Sequence, residues 1–241
     1  MLNKFVIGIL TICLLTGSTC DPQVMQDVLN TVLETTITEQ EAANGLMEAL
    51  VQGATNGSDV LSVVNGYLGN PKVKIPFPTE AQKIEKTLRD LGLNKMCDDV
   101  INSLNRAAEN AAIEAKPILI NSIRSMTIND AMDILFGAND AATTYLEKTT
   151  TAQLTTKFTP IVESSLNKVG ATKYWSDAVN YYNKIPLMED LNPDLKSYVT
   201  QKALEGLFYM IEQEELKIRQ DPGARAAEIV QKVFGYYDTH K

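Results

Sequence analysis

Histidine is almost absent from this sequence of 241 residues, and the single one, His240, is next to last. Chain ends are prone to fraying, so His240 is poorly placed to serve a cleft. A catalytic triad built on histidine, a histidine general base and histidine metal ligands are therefore effectively excluded. The sequence also contains no GxxxxGK[ST] phosphate loop and no acidic calcium-binding loop of twelve residues. We accordingly predict no cofactor, no metal and no catalytic residue.

Cysteine is scarce as well, with Cys13, Cys20 and Cys97 as the complete set. Cys13 lies in an apolar leader that we expect to be removed, and a lipid on Cys20 would leave Cys97 without a disulfide partner. Asp98 and Asp99 follow Cys97 directly and would raise the pKa of its thiol. We therefore interpret Cys97 as a residue of the core or its boundary and not as a nucleophile.

Positive charge is in deficit, because 22 lysines and arginines face 30 aspartates and glutamates, for a formal net charge of -8. Lysine and arginine nowhere cluster with interleaved aromatic residues. A surface of this kind repels phosphate backbones. We therefore predict no nucleic-acid partner.

Strong and continuous apolar character is confined to the beginning of the chain, where Phe5 to Leu15 follow Lys4. As a helix, these eleven residues rise about 16 Å, roughly half the thickness of a hydrocarbon core. We therefore interpret residues 1–19 as a secretory signal peptide, with residues 20–40 as the segment that follows it.

The residues after the leader, Gly17, Ser18 and Thr19, precede Cys20 and resemble the lipobox of bacterial lipoproteins. Gly17 stands where such boxes usually have an aliphatic residue, and Thr19 where they have Gly, Ala or Ser. We predict lipid attachment at Cys20, which would anchor the protein at a membrane surface of the bacterial cell envelope, periplasmic or outer. The alternatives are a free secreted protein cut nearby and an unmodified cysteine at a flexible N-terminus.

The remaining sequence is patterned for helices almost throughout, starting with an apolar face at residues 24–33. Thr38 with Glu41, Thr127 with Asp130 and Thr150 with Gln153 are typical of helix N-termini. Alternation of β-branched residues is too short to indicate a sheet. We predict an all-α fold with a single domain of about ten helices over residues 41–235, and a C-terminal tail over residues 236–241.

Proline interrupts this pattern most clearly in the sequence GNPKVKIPFP at residues 69–78, which predicts an ordered, extended strap. Pro117 and Pro160 each indicate either a kink or the first turn of a new helix. Gly170 is expected to end a helix.

Two helices carry polar residues on faces that are otherwise small or apolar. Asn105, Arg106 and Glu109 accompany a stripe of alanines, and Arg106 and Glu109 are spaced to pair. Glu215 lies on the same helical face as Ile211 and Ile218, so its carboxylate needs a partner.

We therefore predict a semi-buried polar cluster between these helices, in which Glu215 or Glu214 meets Arg106 or Arg219. The alternative is a pair that only fixes the register of the helices, since buried ion pairs more often specify packing than catalyse.

Several sequence blocks resemble, in order, the bacterial domain-of-unknown-function family numbered 4197. The blocks are NPKVKIPFP (70–78), NRAAENA (105–111), AKPI (115–118), DAATTYLEKTT (140–150), PIV (160–162) and YVTQKALEGLFYMIEQEELKIRQDP (198–222). The resemblance covers roughly residues 41–235 and implies an exported, helical envelope protein. It implies no established activity and no catalytic residues.

The function that these observations favour is non-enzymatic binding or scaffolding by an anchored helical domain. One alternative is a carrier that accepts an apolar ligand between helices, suggested by the aromatic residues Tyr174, Trp175, Tyr181, Tyr182 and Phe208–Met210. A second, weaker alternative is a hydrolase that uses paired carboxylates without a metal. The expected partners are thus a membrane, through the lipid, and a protein or an apolar ligand.

Overall fold

The computed structural model describes residues 37–168, 170–184 and 194–240. These ranges contain nine α-helices and no β-strand, which confirms the all-α prediction. The helices are α1 (Glu39–Ser62), α2 (Gln82–Asp90), α3 (Asn94–Ala112), α4 (Ala115–Arg124), α5 (Ile128–Leu135), α6 (Ala141–Lys168), α7 (Ala171–Asn183), α8 (Leu195–Gln220) and α9 (Glu228–His240). The leader, Cys20 and the apolar face at residues 24–33 lie outside the described residues, so the count of about ten helices stays a prediction.

Two helix starts form as the sequence predicts. Thr38 accepts the backbone N–H of Glu41 at 3.1 Å, and the carboxylate of Glu41 accepts the backbone N–H of Thr38 at 3.0 Å. Thr127 and Asp130 form the same reciprocal pair before α5. Each pair satisfies N–H groups that the first turn of a helix leaves free.

The third predicted start is wrong, because α6 runs without a break from Ala141 to Lys168. Thr150 lies in its interior, where the hydroxyl donates to the carbonyl of Leu146 at 2.6 Å. A threonine that can cap a helix can also bond the carbonyl four residues before it, so its identity alone does not decide between the two. Pro160 also lies inside α6, whereas Pro117 lies in the first turn of α4.

The long helix α8 packs against α6, α1 and α3, and α1 also packs against α4, α5 and α9. Helix α7 packs against α3, α2 and α6. The predicted alanine stripe of α3 is buried throughout, and small side chains of this kind allow helices to approach closely. Gly170, with a φ of +74°, separates α6 from α7, a conformation that favours glycine.

The chain between α1 and α2 contains turns and irregular backbone over residues 63–78. In the proline-rich part, Val73, Ile75 and Phe77 are buried, and they alternate with the exposed residues Lys72, Lys74 and Pro76. One face of the segment therefore belongs to the interior and the other presents lysines to solvent. The backbone N–H groups of Val73 and Lys74 both bond the carbonyl of Asn70, at 3.1 and 2.9 Å, so the first part of this segment is a turn and the predicted extended strap over residues 69–78 is not confirmed.

Candidate functional site

Asn105 fixes the proline-rich segment to α3. Its Oδ1 accepts the backbone N–H of Ile75 at 2.8 Å, and its Nδ2 donates to the carbonyl of Ile75 at 2.9 Å. Nδ2 also donates to the carbonyl of Ile101, one turn earlier in α3, at 2.8 Å. The fully buried amide thereby satisfies both backbone groups of a residue that has no helix or strand to do so.

Glu109 and Arg106 hold the backbone that leads into the proline-rich segment. The Glu109 carboxylate accepts the backbone N–H groups of Tyr67 and Leu68, both at 3.3 Å, and pairs with Arg106 at 2.5 Å. Arg106 donates in turn to the side chain of Asn65 at 2.9 Å. The three polar residues predicted on α3 thus act on one backbone segment.

Glu215 and Arg219 form a second cluster, buried at the junction of three helices. Arg219 donates to Glu215 through Nε at 3.0 Å and Nη2 at 2.9 Å. Glu215 also accepts the backbone N–H groups of Ala142 and Thr143, at 3.0 and 2.8 Å, and the Thr143 hydroxyl at 2.8 Å. Arg219 donates to the last two carbonyls of α5, at 2.9 and 3.2 Å. The carboxylate therefore faces the N-terminus of α6 and the guanidinium faces the C-terminus of α5, as the helix dipoles favour.

The predicted single cluster is therefore two clusters. Glu215 does pair with Arg219, but their contacts are to α5 and α6, so the expected position between α3 and α8 is wrong. Arg106 forms no hydrogen bond or ion pair with Glu214 or Glu215 within the described residues. Glu214 instead accepts from Asn56 of α1 at 2.9 Å and lies 3.5 Å from Lys217.

The chemistry left to these carboxylates is limited. Both oxygens of Glu215 are occupied by donors, and its exposed fraction is 6%. Glu109, 3% exposed, is likewise occupied by an arginine and two backbone N–H groups. These two residues stabilise the fold.

Arg225 is a structural residue that the sequence did not point to. Its buried side chain donates to the carbonyls of Ile218 and Arg219, at 3.0 and 3.2 Å, and pairs with Asp238 at 2.8 Å. It ties the end of α8 to α9. The nearest feature in the sequence is the pair Asp221–Pro222. That pair indicates a turn and does not indicate that Arg225 is buried.

Cys97 is buried, as predicted, and its Sγ lies 3.7 Å from the carbonyl of Glu85. Burial has the largest effect on its thiol and raises the pKa; Arg89 lowers the pKa to a lesser extent, and the carboxylates of Glu85 and Asp98 each raise it by smaller amounts. The thiol is therefore held protonated and inaccessible.

A groove of about 270 Å³ lies between the proline-rich segment and α8, and we call it the lysine groove. Lys72, Lys74 and Lys202 line it together with Tyr198 and Tyr209. The hydroxyl of Tyr198 donates to the carbonyl of Pro76 at 3.0 Å, so α8 holds the segment as well as α3 does. Burial raises the pKa of Tyr198 to about 12, with a further contribution from nearby carboxylates, which keeps the phenol a donor.

Among the described residues, the aromatic side chains predicted for an apolar cavity are divided between the core and the surface. Trp175 and Tyr182 are buried, and Trp175 packs on Phe77 with ring centroids 5.7 Å apart. Tyr174 and Tyr181 are 37% and 46% exposed. An interior cavity, lined by residues of α1, α8 and α9, measures about 10 Å³, which is room for one water molecule at most.

No group of three or more histidine, cysteine, aspartate or glutamate side chains in the described ranges is arranged to hold a metal ion. In the same part of the chain, no helix combines the length and the apolar character that crossing a bilayer requires.

The comparisons with known proteins identify one family. A family described as proteins of unknown function, DUF4197, matches residues 36–235. The chain belongs to this family, as the sequence blocks predicted. No curated protein and no solved structure matches the chain.

Proposed function

We propose that this protein is a lipid-anchored protein of the bacterial cell envelope whose helical domain binds a protein partner at the membrane surface. Two features support the anchor: the apolar run from Phe5 to Leu15 and the lipobox-like residues before Cys20. Sixteen residues, 21–36, separate Cys20 from the described domain. Lipid chains on Cys20 would hold the domain at the membrane surface, where a protein partner can reach it.

The lysine groove is the observation that carries the binding role. Within the described residues, Lys72 and Lys74 form no ion pair with a carboxylate, although the chain has a net charge of -8. The backbone that carries them is fixed by Asn105 and Tyr198. A binding surface that is ordered before the partner arrives avoids the entropy cost of ordering it on contact. Exposed lysines on rigid backbone favour a partner with an acidic surface.

The arrangement of carboxylates supports binding over hydrolysis. Catalysis by a carboxylate pair requires two groups that face one cleft, with room for substrate and with one pKa raised. Glu109 and Glu215 are instead buried in separate clusters and saturated with donors. The carrier alternative receives no support from the interior cavity of about 10 Å³.

The lipid anchor is tested by growth of the native host with labelled palmitate. Wild type and Cys97→Ala should both take up label, and Cys20→Ala should not, because only Cys20 would carry acyl chains. Cys97→Ala is the matched control for loss of a cysteine. Equal labelling of Cys20→Ala and wild type would refute the anchor.

The binding role is tested with a photo-crosslinking residue at position 74 in intact cells. A defined crosslinked species should form from position 74 and not from position 157, an exposed lysine of α6 outside the groove. Lys72→Glu should abolish the species by reversing the charge beside it. A crosslink that forms equally from both positions, or that survives Lys72→Glu, would contradict recognition through the lysine groove.

A further inference from the structure

A second groove, of about 320 Å³, lies between α6 and α8. We call it the threonine groove, because Thr151, Thr155 and Thr159 form its α6 wall and Thr200, Leu204 and Phe208 belong to its α8 wall. The three threonines of α6 recur every fourth residue and so form one ridge along the helix. The volume is at the lower end of the range of roughly 300–1,000 Å³ that is typical of small-molecule sites.

The hydroxyls of the ridge are mainly hydrogen-bond acceptors. The Thr151 hydroxyl donates a hydrogen bond to the carbonyl of Glu147 at 2.6 Å, and the Thr159 hydroxyl donates one to the carbonyl of Thr155 at 2.7 Å. A hydroxyl whose O–H is already used in a hydrogen bond keeps two lone pairs that can accept from an incoming donor. The groove therefore suits a ligand that carries donors of its own.

Thr200 differs from the threonines of α6. It is 3% exposed, and its hydroxyl has no hydrogen-bond partner. Five threonines of α6 satisfy theirs on the carbonyl four residues before them: Thr149, Thr150, Thr151, Thr156 and Thr159. Unpaired buried hydroxyls are uncommon in folded proteins because leaving one unpaired costs free energy. Thr200 lines the groove, and rotation of its side chain to another rotamer would bring the hydroxyl to a polar group of a ligand there.

The floor and the charges of the groove narrow the class of ligand. Leu204 and Phe208, each 6% exposed, give an apolar patch between the polar walls. Glu147 and Glu205 line the groove, and no lysine or arginine is among the lining residues, so an anion would be repelled. An apolar chain or helix would leave the Thr200 hydroxyl and the free lone pairs of Thr151 and Thr159 without a partner, which is unfavourable. An uncharged ligand with many hydroxyls and an apolar C–H face matches all of these features.

We propose that the threonine groove binds an uncharged sugar, with its hydroxyls on the threonines and its C–H face on Leu204 and Phe208. This site is separate from the lysine groove, with Glu205 lining both. The proposal concerns the helical domain and does not depend on the lipid at Cys20 or on the protein partner.

The test is saturation-transfer NMR on the full-length protein in a detergent without a sugar headgroup. The probes are two neutral trisaccharides, N,N′,N″-triacetylchitotriose and maltotriose, with inorganic phosphate as the anionic comparison. We expect transfer to the C–H protons of at least one trisaccharide. Thr155→Val and Thr200→Val should each weaken its affinity about threefold to tenfold, the effect of one lost hydrogen bond. Thr156→Val, on the same helix but outside the groove, should leave the affinity unchanged.

Thr200→Val also separates binding from folding. Because the wild-type hydroxyl has no partner, its removal should leave the melting temperature equal or higher while the affinity for the sugar falls. If Thr200→Val does not fold, Thr155→Val decides alone, since Thr155 is exposed. The proposal is overturned if neither trisaccharide binds, if the groove variants bind as tightly as wild type, or if phosphate displaces the sugar.

Discussion

The side chain of Asn105 and the backbone of Ile75 are paired in both directions, at 2.8 and 2.9 Å, across 30 positions of sequence. A single amide thus gives Ile75 the two bonds that a neighbouring strand would give it in a sheet. Ile75 lies between Lys74 and Pro76 in the segment that borders the lysine groove. The order of the backbone beside the lysine groove therefore depends in part on one buried residue of α3.

Asn105→Ala should release this segment. Both backbone groups of Ile75 lose their partner, so we expect the free energy of unfolding to fall by about 1–3 kcal/mol. Trypsin should cut faster after Lys72 and Lys74 under native conditions, because local opening exposes them. Asn180→Ala, at an exposed position of α7, is the control. Equal rates of cleavage in wild type and Asn105→Ala would show that other contacts hold the segment.

Glu215→Ala should be strongly destabilising. It leaves Arg219 buried without its counter-charge, which typically costs about 3–5 kcal/mol, to be measured by urea denaturation. Glu214→Ala, which changes a partly exposed neighbour, should cost about 1 kcal/mol or less. The double variant Glu215→Leu with Arg219→Met should lose less stability than Glu215→Ala, since neither charge is then left alone. A double variant that is less stable than Glu215→Ala would contradict this account.

Two glycines of α1 should respond oppositely to alanine. A Cβ at Gly45 would lie 2.8 Å from Cβ of Val233 and 3.0 Å from the carbonyl oxygen of Ile229, both in α9. Overpacking of this kind costs about 1–3 kcal/mol. At Gly53 the nearest atom, Cβ of Glu214, is 3.6 Å away, so Gly53→Ala should gain about 0.5–1 kcal/mol from helix propensity. Similar melting temperatures for the two variants would contradict the close approach of α1 and α9.

At acidic pH, the free energy of unfolding should depend on the ionisation of Glu41. Its pKa is lowered from 4.5 to about 2, chiefly because its carboxylate accepts the backbone N–H of Thr38 and then by a hydrogen bond from Lys232. Since the folded pKa lies below the unfolded one, its contribution is complete above pH 4.5 and is lost as pH falls towards 2. Glu41→Gln should flatten the decline of stability in this window, measured by urea unfolding at each pH. Glu39→Gln, a first-turn acid without a bond to Thr38, should retain the wild-type decline.

Cys97 should be unreactive in the folded protein. Burial raises the pKa of its thiol and excludes reagents. In a variant with Cys13→Ala and Cys20→Ala, where Cys97 is the remaining cysteine, Ellman's reagent should react slowly in native buffer and rapidly in urea. Rapid reaction in native buffer would mean that the contact between α2 and α3 opens readily.

Prediction from the sequence succeeded where the determinants lie within one helical turn. The reciprocal bonds of Thr38 with Glu41 and of Thr127 with Asp130 join residues three apart. The same rule failed at Thr150, because whether a threonine caps a helix or bonds back within one depends on the residues packed around it. The pairing of Glu215 with Arg219, four apart, could be predicted, whereas its attachment to the start of α6 could not.

The sequence by itself determined the helical content, several helix ends, the acidic balance and the scarcity of histidine, because these depend on composition and on bonds between near neighbours. The tertiary structure decided which polar residues meet and which surfaces stay open. Tyr67 reaches the carbonyl of Ala203 across 136 positions, and α6 and α8 enclose the threonine groove only once both have packed. Contacts of this range follow from how helices pack against one another, and local periodicity does not specify that packing.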